Sequence, residues 1–532
     1  MKTTEKCLKS TFSEKAMVTS PHTGASEAGL EILRRGGTAI EASIAIAAKL
    51  SVTYPHFNGL GGDAFLLMST ADGEVMSISG IGQAFENLPD FSEGMVTRGI
   101  DSAITTACTV DAWGKAYLYS KHHWGGTIPW KELFASAIET AKEGYKVSKS
   151  QEFWYHFRRN EMQDWQGFQN IFSKQGECYK EGDLFKQDGL ARTLSAIANH
   201  GHREFYEGSL AKEIVSSLQK MGSSIQLSDL KRTYARLETP LKIPYRDGEL
   251  YSLQPPTQGV TTLQIMGILN CLDLKKIAPL NTPNFYHYII EAIKLAFLDR
   301  NELIADPEFC EKKMLSILEE TYLKKQAKNI SHQVARPWNE NFQQGDTAYI
   351  GVTDTYGNCV SMLQTIYYDW GSGVVAGDTG ILWHNRGSSF SKEPLHHNSI
   401  QPYKRPFHTL NPGIFLKNQK PFLLFGTQGA DGQPQTLATL LVRLIDFDLP
   451  PYLALKQPRF LLGKTFSSQA ETLKIEEDAT ESTIKMLSLM GHKIEIINAQ
   501  SQLAGHAGVI KITEKGILAA HDSRSDGVAL GL

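Results

Sequence analysis

Two runs of alternating residues near the middle of the chain carry its sharpest pattern. Ala348, Ile350 and Val352 alternate with Thr347, Tyr349, Gly351 and Thr353, and Val360, Met362, Gln364 and Ile366 repeat the period of two. Thr355-Tyr356-Gly357-Asn358 between them predicts a turn in which Gly357 takes a positive φ, so the runs form a β-hairpin. Pairing Asp354 with Asn358 sets Thr347 opposite Thr365; a slip of one residue would set it opposite Ile366.

Periods of two and of 3.6 alternate on either side. Residues 16–20 read as a short strand, and Thr23 as the N-cap of a helix through Ala28, Leu30, Ile32 and Leu33 that Gly36-Gly37 ends. A buried helix follows over about 40–51. Asn58-Gly59-Leu60-Gly61-Gly62-Asp63 leads into a strand over 65–69. It lacks the Gly-Lys-Ser/Thr ending of a phosphate loop and the strand-before, helix-after setting of a dinucleotide fingerprint, so close backbone packing is expected of it. Helical spacing covers about 112–145 and 190–222, strand character 229–251, and a helix returns around 263–269. The polar stretch 324–345 reads as a mobile linker, which suits a segment awaiting cleavage. Beyond the hairpin come a loop over 378–391, strands near 412–415 and 422–425, helices over 436–446 and 479–490, and a strand pair at 508–513 and 516–520.

Composition narrows the classes of function. The 532 residues are 41% apolar and 21% charged, as in a soluble globular protein. A net charge of −3 and an isoelectric point near 6.6 give no electrostatic case for nucleic acid or an anionic membrane as partner. The six cysteines are scattered without a C-x-x-C pair and read as reduced thiols. No run approaches the ~18 apolar residues of a spanning helix, and charges punctuate the first residues where a secretory signal would be apolar. The expected compartment is the cytoplasm. His122-His123 and His396-His397 lack metal-ligand spacing, so no metal is expected, and Gly387-Ser388-Ser389 is not a nucleophile elbow.

Further motifs follow in a distinctive order: Asp346-Thr347, Asp354 with Gly357-Asn358, Gly371-Ser372-Gly373, Gly380-Ile381-Leu382 with Asn385, Lys404-Arg405-Pro406 and Gly426-Thr427-Gln428-Gly429. In this the chain resembles the γ-glutamyltranspeptidase family. Gly36-Gly37-Thr38-Ala39-Ile40-Glu41-Ala42, Gln254-Pro255-Pro256-Thr257-Gln258-Gly259, the 291–300 segment and Asp522-Ser523-Arg524-Ser525-Asp526-Gly527 extend the resemblance over about 16–532.

The resemblance implies an α+β fold of the N-terminal-nucleophile (Ntn) hydrolase class, an αββα sandwich with two antiparallel sheets between helical layers. It implies self-cleavage between Asp346 and Thr347 into a large subunit, 1–346 with its linker at about 324–346, and a small subunit, 347–532. The two would remain together as a heterodimer, alone or as a dimer of heterodimers. Thr347 would be the nucleophile, Thr365 a hydroxyl supporting it, and Gly429 with Ala430 the oxyanion donors, Ala430 standing at little cost where the family has a second glycine. No cofactor is needed: the α-amine freed by cleavage has a pKa of ~8 and can take the proton of its own residue's hydroxyl.

Recognition of a γ-glutamyl group does not carry over. The family's carboxylate-clamping arginine falls within 77–83, which holds no basic residue, and its ammonium-binding acid falls at Ser389. Its asparagine near the nucleophile falls at Tyr367, its glutamine at Arg386, and its paired serines at His408-Thr409. A pocket with no ammonium partner and an added cation suits an anionic acyl group without an amino group, oxamate-like or glutaryl-like. That is the side of the family holding cephalosporin acylases and oxamate amidohydrolase. Arg386, His408 and Thr409 are the candidate substrate contacts, and an exposed loop cation is the alternative for Arg386. The rival functions are an ordinary γ-glutamyltransferase or glutathione hydrolase, and an uncleaved, non-catalytic member of the family.

Overall fold

The hairpin forms as expected and lies at the centre of a seven-stranded antiparallel sheet. The strand order is Val528–Gly531, Met17–Ser20, Asp346–Thr353, Cys359–Tyr367, Asp63–Ser69, Val75–Gly80 and Arg236–Glu238. The computed structural model describes residues 10–89, 91, 95–310, 313–338, 345–464 and 470–532. A second antiparallel sheet orders Thr11–Ser13, Gly516–His521, Ala507–Thr513, Lys420–Thr427, Gly413–Lys417, Gly248–Ser252 and Leu241–Tyr245.

The two sheets stack. Phe65, Leu67, Tyr349 and Leu363 from the first share a core with Ile414, Leu424 and Ile510 from the second. Outside the first sheet, Ala348, Ile350 and Val352 pack with the helices Thr23–Arg34 and Ala39–Thr53. Outside the second lie Gly259–Asn270, Pro283–Leu303 and Gly432–Leu441. The result is the helix–sheet–sheet–helix sandwich. Both faces of the hairpin are therefore buried. Tyr349 passes between the sheets because a Cβ on Gly426 or Gly508 would stand 2.2 or 2.5 Å from its ring.

Several sequence motifs turn out to be joints. Thr38 and Glu41 form a capping box on Ala39–Thr53. The Asp354 carboxylate accepts from the amides of Ala39, Tyr356 and Asn358, each at 2.9 Å, tying the hairpin turn to that helix. The glycine run packs backbone on backbone, since a Cβ on Gly62 would lie 2.0 Å from the Thr365 carbonyl oxygen.

Three expectations need correction. His22, not Thr23, is the N-cap of the first helix, and it makes no side-chain cap bond. The 229–251 stretch opens in a helix, Leu227–Lys231, where Asp229 accepts the Gln226 amide and closes a capping box. The linker is docked along much of its length: Glu320–Lys328 is helical, and Arg336 is held between Glu291, which accepts its amide at 3.1 Å, and Lys294, which donates to its carbonyl at 2.6 Å. Residues 339–344 of the linker lie outside the described residues, as does Cys7.

The C-terminal Asp522-Ser523-Arg524 motif builds a buried ion cluster. Asp522 pairs with Arg459 at 2.5 Å and Arg524 at 3.1 Å, and Arg524 also binds Glu476. Arg459 donates to the Gly505 carbonyl at 2.9 Å, and the next carbonyl, of His506, accepts from Gln428 at 3.0 Å. Arg524→Ala is expected to lower stability by about 3–5 kcal/mol, because it takes from the buried Glu476 its charged partner, while Asp522 keeps Arg459. Chemical denaturation of the uncleaved Thr347→Ala background measures it.

Burial also sets the acid limit. It pushes His506 down to about 4 and His521 down to about 3, so the folded chain keeps them neutral. An unfolded histidine titrates near ~6.5, so below that pH the unfolded state alone gains the proton, and stability falls until the folded values are reached. Each should cost on the order of 2 kcal/mol between pH 7 and 5. Asp526, raised to about 6 by burial, works the other way as a single group. The melting temperature should drop on acidification from pH 7 to 5, and His521→Gln should flatten that drop.

Candidate active site

Thr347 sits in the central strand, buried, one residue after the point where pairing changes. From Ala348↔Gln364 to Thr353↔Cys359 the register is the expected one, but Asp346 pairs with Tyr367. A bulge therefore sets Thr347 against both Thr365 and Ile366. The bulge turns the Thr365 hydroxyl onto the carbonyl of Asp346 at 2.5 Å, while the Tyr367 amide donates to the same hydroxyl at 2.7 Å. The hydroxyl expected beside Thr347 thus donates to the carbonyl of the residue before it.

The Thr347 hydroxyl accepts a bond from the side-chain amide of Gln433 at 3.2 Å. Gln433 lies in the first turn of Gly432–Leu441, and the sequence reading missed it. Its signal would have been its place three residues beyond Ala430, where a helix start faces Thr347.

Gly429 and Ala430 precede that helix with φ of +122° and +42°, and neither amide donates to another described residue. A Cβ on Gly345 would meet the Tyr367 ring at 2.9 Å and Ala430 Cβ at 3.0 Å, so the loop lies over the residue that precedes Asp346. Ala430 is not free of cost, as had been expected: its left-handed backbone costs an L-residue about 1–2 kcal/mol. The loop is held by Gln258, which donates to the carbonyls of Ala430 at 2.7 Å and Thr409 at 2.6 Å, and by Arg300, which grips Asp431 at 2.8 and 3.1 Å.

Arg386 is no surface cation. It is fully buried in the turn Arg386–Ser389, with its guanidinium carbon 3.6 Å over the centre of the Tyr367 ring. Burial pulls its pKa down to about 10, which leaves it charged at neutral pH. Nη1 donates a long bond to Thr409 Oγ1, 3.4 Å, and neither Nε nor Nη2 has a partner among the described residues. Those two nitrogens form one edge of the guanidinium, the edge that takes a carboxylate in two parallel bonds.

His408, expected to contact a carboxylate, is spent elsewhere. Its Nε2 lies 3.1 Å from Asp63 Oδ2, and its Nδ1 accepts from the Leu410 amide at 3.3 Å. Burial and the nearby Arg386 push it down to about 3, so it is neutral and holds Asp63 in place. Burial alone would raise Asp63, but His384 and His408 outweigh it and keep this carboxylate ionised.

Three of the carboxylates nearby are already engaged. Asp63 holds His408 and the Gly82 amide, Asp431 holds Arg300, and Asp369 takes Arg158 in two bonds of 2.6 and 2.9 Å. Ser389 donates to the carbonyls of Arg386 and Phe407. Arg98 approaches the Tyr368 ring, but its donors go to Asp369 and Gly371. The buried trio His287, Glu291 and His492 has ligand-like spacing, yet Lys294 neutralises Glu291 at 2.7 Å and His287 bridges His492 and the Ser331 carbonyl. It serves to fasten the linker.

The family model described as Gamma-glutamyltranspeptidase matches residues 25–532. The chain is 38% identical to the oxamate amidohydrolase proenzyme of Klebsiella pneumoniae, over 98% of this chain and 99% of that protein. It is also 38% identical to the glutathione hydrolase-like YwrD proenzyme of Bacillus subtilis, over 98% of this chain and all of the relative. The crystal structure of cephalosporin acylase from Bacillus halodurans superposes with a TM-score of 0.89 at 30% identity, covering 98% of this chain and 97% of that one.

Proposed function

Because this chain belongs to the γ-glutamyltranspeptidase family of Ntn hydrolases, we propose that it cuts its own Asp346–Thr347 bond and then hydrolyses a small amide whose acyl group carries a carboxylate but no ammonium. The observation that carries this reading is the unpartnered Nε–Nη2 edge of the buried Arg386. A buried cation with two idle donors is costly to keep unless a ligand completes it.

Maturation begins with attack of the Thr347 hydroxyl on the Asp346 carbonyl, moving the acyl group from nitrogen to oxygen. Water then hydrolyses the ester, leaving a carboxylate on Asp346 and a free amine on Thr347. The products are a large subunit of residues 1–346 and a small subunit of residues 347–532. In turnover the substrate carbonyl takes the place of the Asp346 carbonyl, beside the Thr365 hydroxyl and the amides of Gly429 and Ala430. The Thr347 amine takes the hydroxyl proton and passes it to the departing nitrogen. Water releases the acid from the threonyl ester.

Oxamate, for which one relative is named, has the required chemistry: an amide beside a carboxylate and no amino group. A glutaryl amide has it too, with a longer reach. A γ-glutamyl donor would bring an ammonium toward Asp63, Asp431 and Asp369, which are already paired. The unpaired cysteines Cys108, Cys178, Cys271, Cys310 and Cys359 favour the cytoplasm as the place of action, and no helix among the described residues is long and apolar enough to cross a membrane.

The test compares kcat/KM for oxamate, a glutaryl anilide and a γ-glutamyl anilide on the cleaved protein. One of the first two should lead by at least tenfold. A lead for the γ-glutamyl compound would reassign the protein to glutathione hydrolysis.

A further inference from the structure

The residue before the scissile bond is in an awkward position. Asp346 is 1% exposed, and neither of its carboxyl oxygens has a hydrogen-bond partner among the described residues. Tyr367 faces it across the strand pair. The charged and titratable groups acting on it are the Asp369 carboxylate, Arg158 and Arg98, and it in turn acts on the phenol of Tyr54, at the end of Ala39–Thr53. The two arginines give it no bond, because both are committed to Asp369. Burial and the Asp369 charge push the Asp346 carboxyl well above the ordinary carboxylate range.

Cleavage changes what holds this residue. The new α-carboxylate of Asp346 stays where the scissile carbonyl was, with the Thr365 hydroxyl, the Gly429 and Ala430 amides and the new Thr347 ammonium as partners. Those partners make it a good product-like ligand for the site it must vacate. The side chain has no such partners. We propose that the Asp346 side-chain carboxyl is a release device, whose ionisation drives the new C-terminus, Gly345–Asp346, out of the acyl site once the bond is cut. This rests on the self-cleavage reading above. Docked, the side chain must be neutral; released into water, it ionises. Between its ordinary value of ~3.9 and its raised docked value, each unit of pH favours the released state by a further tenfold. Redocking belongs to the acid side, release to neutral pH.

The test uses the full chain after maturation, as wild type, Asp346→Asn and Asp346→Glu. Denaturing gels read cleavage, hydrogen–deuterium exchange of the Gly345 and Asp346 amides reads release, and steady-state kinetics read occupancy of the site. All three proteins should split. At pH 7.5 the wild type and Asp346→Glu should exchange fast. Asp346→Asn should stay protected, with KM raised at least tenfold and kcat within twofold, since a docked tail lowers the fraction of competent sites. The wild-type protection factor, taken against the intrinsic exchange rate at each pH, should rise as the pH is lowered, while that of Asp346→Asn should stay high across the range. A single uncleaved band in the wild type would overturn both readings. Two bands with wild-type exchange and KM in Asp346→Asn would overturn this one alone, as would a cleaved wild type whose two amides remain protected at pH 7.5.

Discussion

Thr347→Ala should leave one 59.1 kDa band where the wild type gives two, and no measurable amidase activity. The variant removes the oxygen proposed to attack in both reactions, which accepts from Gln433. Loss of a nucleophile costs on the order of 10⁴-fold or more in turnover, because no other group stands in for it. Folding should be unaffected, since the change deletes two heavy side-chain atoms at one bulge and keeps the strand ladder on both sides. Thr347→Ser keeps an oxygen on the same carbon and should still mature, more slowly. N-terminal sequencing of the small band locates the cut. A band beginning elsewhere than Thr347, or turnover by the alanine variant, would remove Thr347 from the centre of the mechanism.

Arg386→Ala should discriminate between substrates more than it slows them all. One desolvated, charge-assisted bond contributes about 1.5–3 kcal/mol, so losing a two-bond contact should cut kcat/KM for oxamate or a glutaryl anilide by about 10²-fold. An acetyl anilide, with no carboxylate, should lose less than about threefold. Arg386→Lys should recover little, because an ammonium cannot present the Nε–Nη2 edge while lying flat on Tyr367. Equal losses on charged and neutral substrates, with a lowered melting temperature, would make Arg386 a packing residue.

Much of the architecture was legible because it depends on local patterns. The hairpin, its turn at Gly357 and the register from Ala348 onward follow from alternation and one turn residue. The bulge at Thr347 does not, because what favours it is a single hydroxyl-to-carbonyl bond from Thr365 that leaves no mark on the hydrophobic pattern. Gln433 was missed for a related reason: its partner is 86 residues away in the chain. Resemblance placed Arg386 and His408 at the same pocket, but their fates depend on neighbours. Asp63 and the Leu410 amide take both nitrogens of His408, whereas nothing takes the edge of Arg386. Exposure was the point where base rates misled, since a loop arginine is usually solvated and this one lies under the fold.

The interleaving of strands gives the cut a second meaning. In the first sheet, Met17–Ser20 lies between Val528–Gly531 and Asp346–Thr353, and Asp63–Ser69 borders Cys359–Tyr367. In the second, Thr11–Ser13 borders Gly516–His521, and Gly248–Ser252 borders Gly413–Lys417. Each piece therefore completes sheets begun by the other. A continuous chain finds these pairings as an intramolecular search, with its halves at a high effective concentration. After the cut, that tether is gone while every pairing it helped to form remains. The mature protein is therefore expected to persist through the height of its unfolding barrier rather than through a reversible equilibrium. Maturation should spend the chain's ability to fold again: on cooling after heating, the uncleaved precursor is expected to recover its fold and the separated subunits are not.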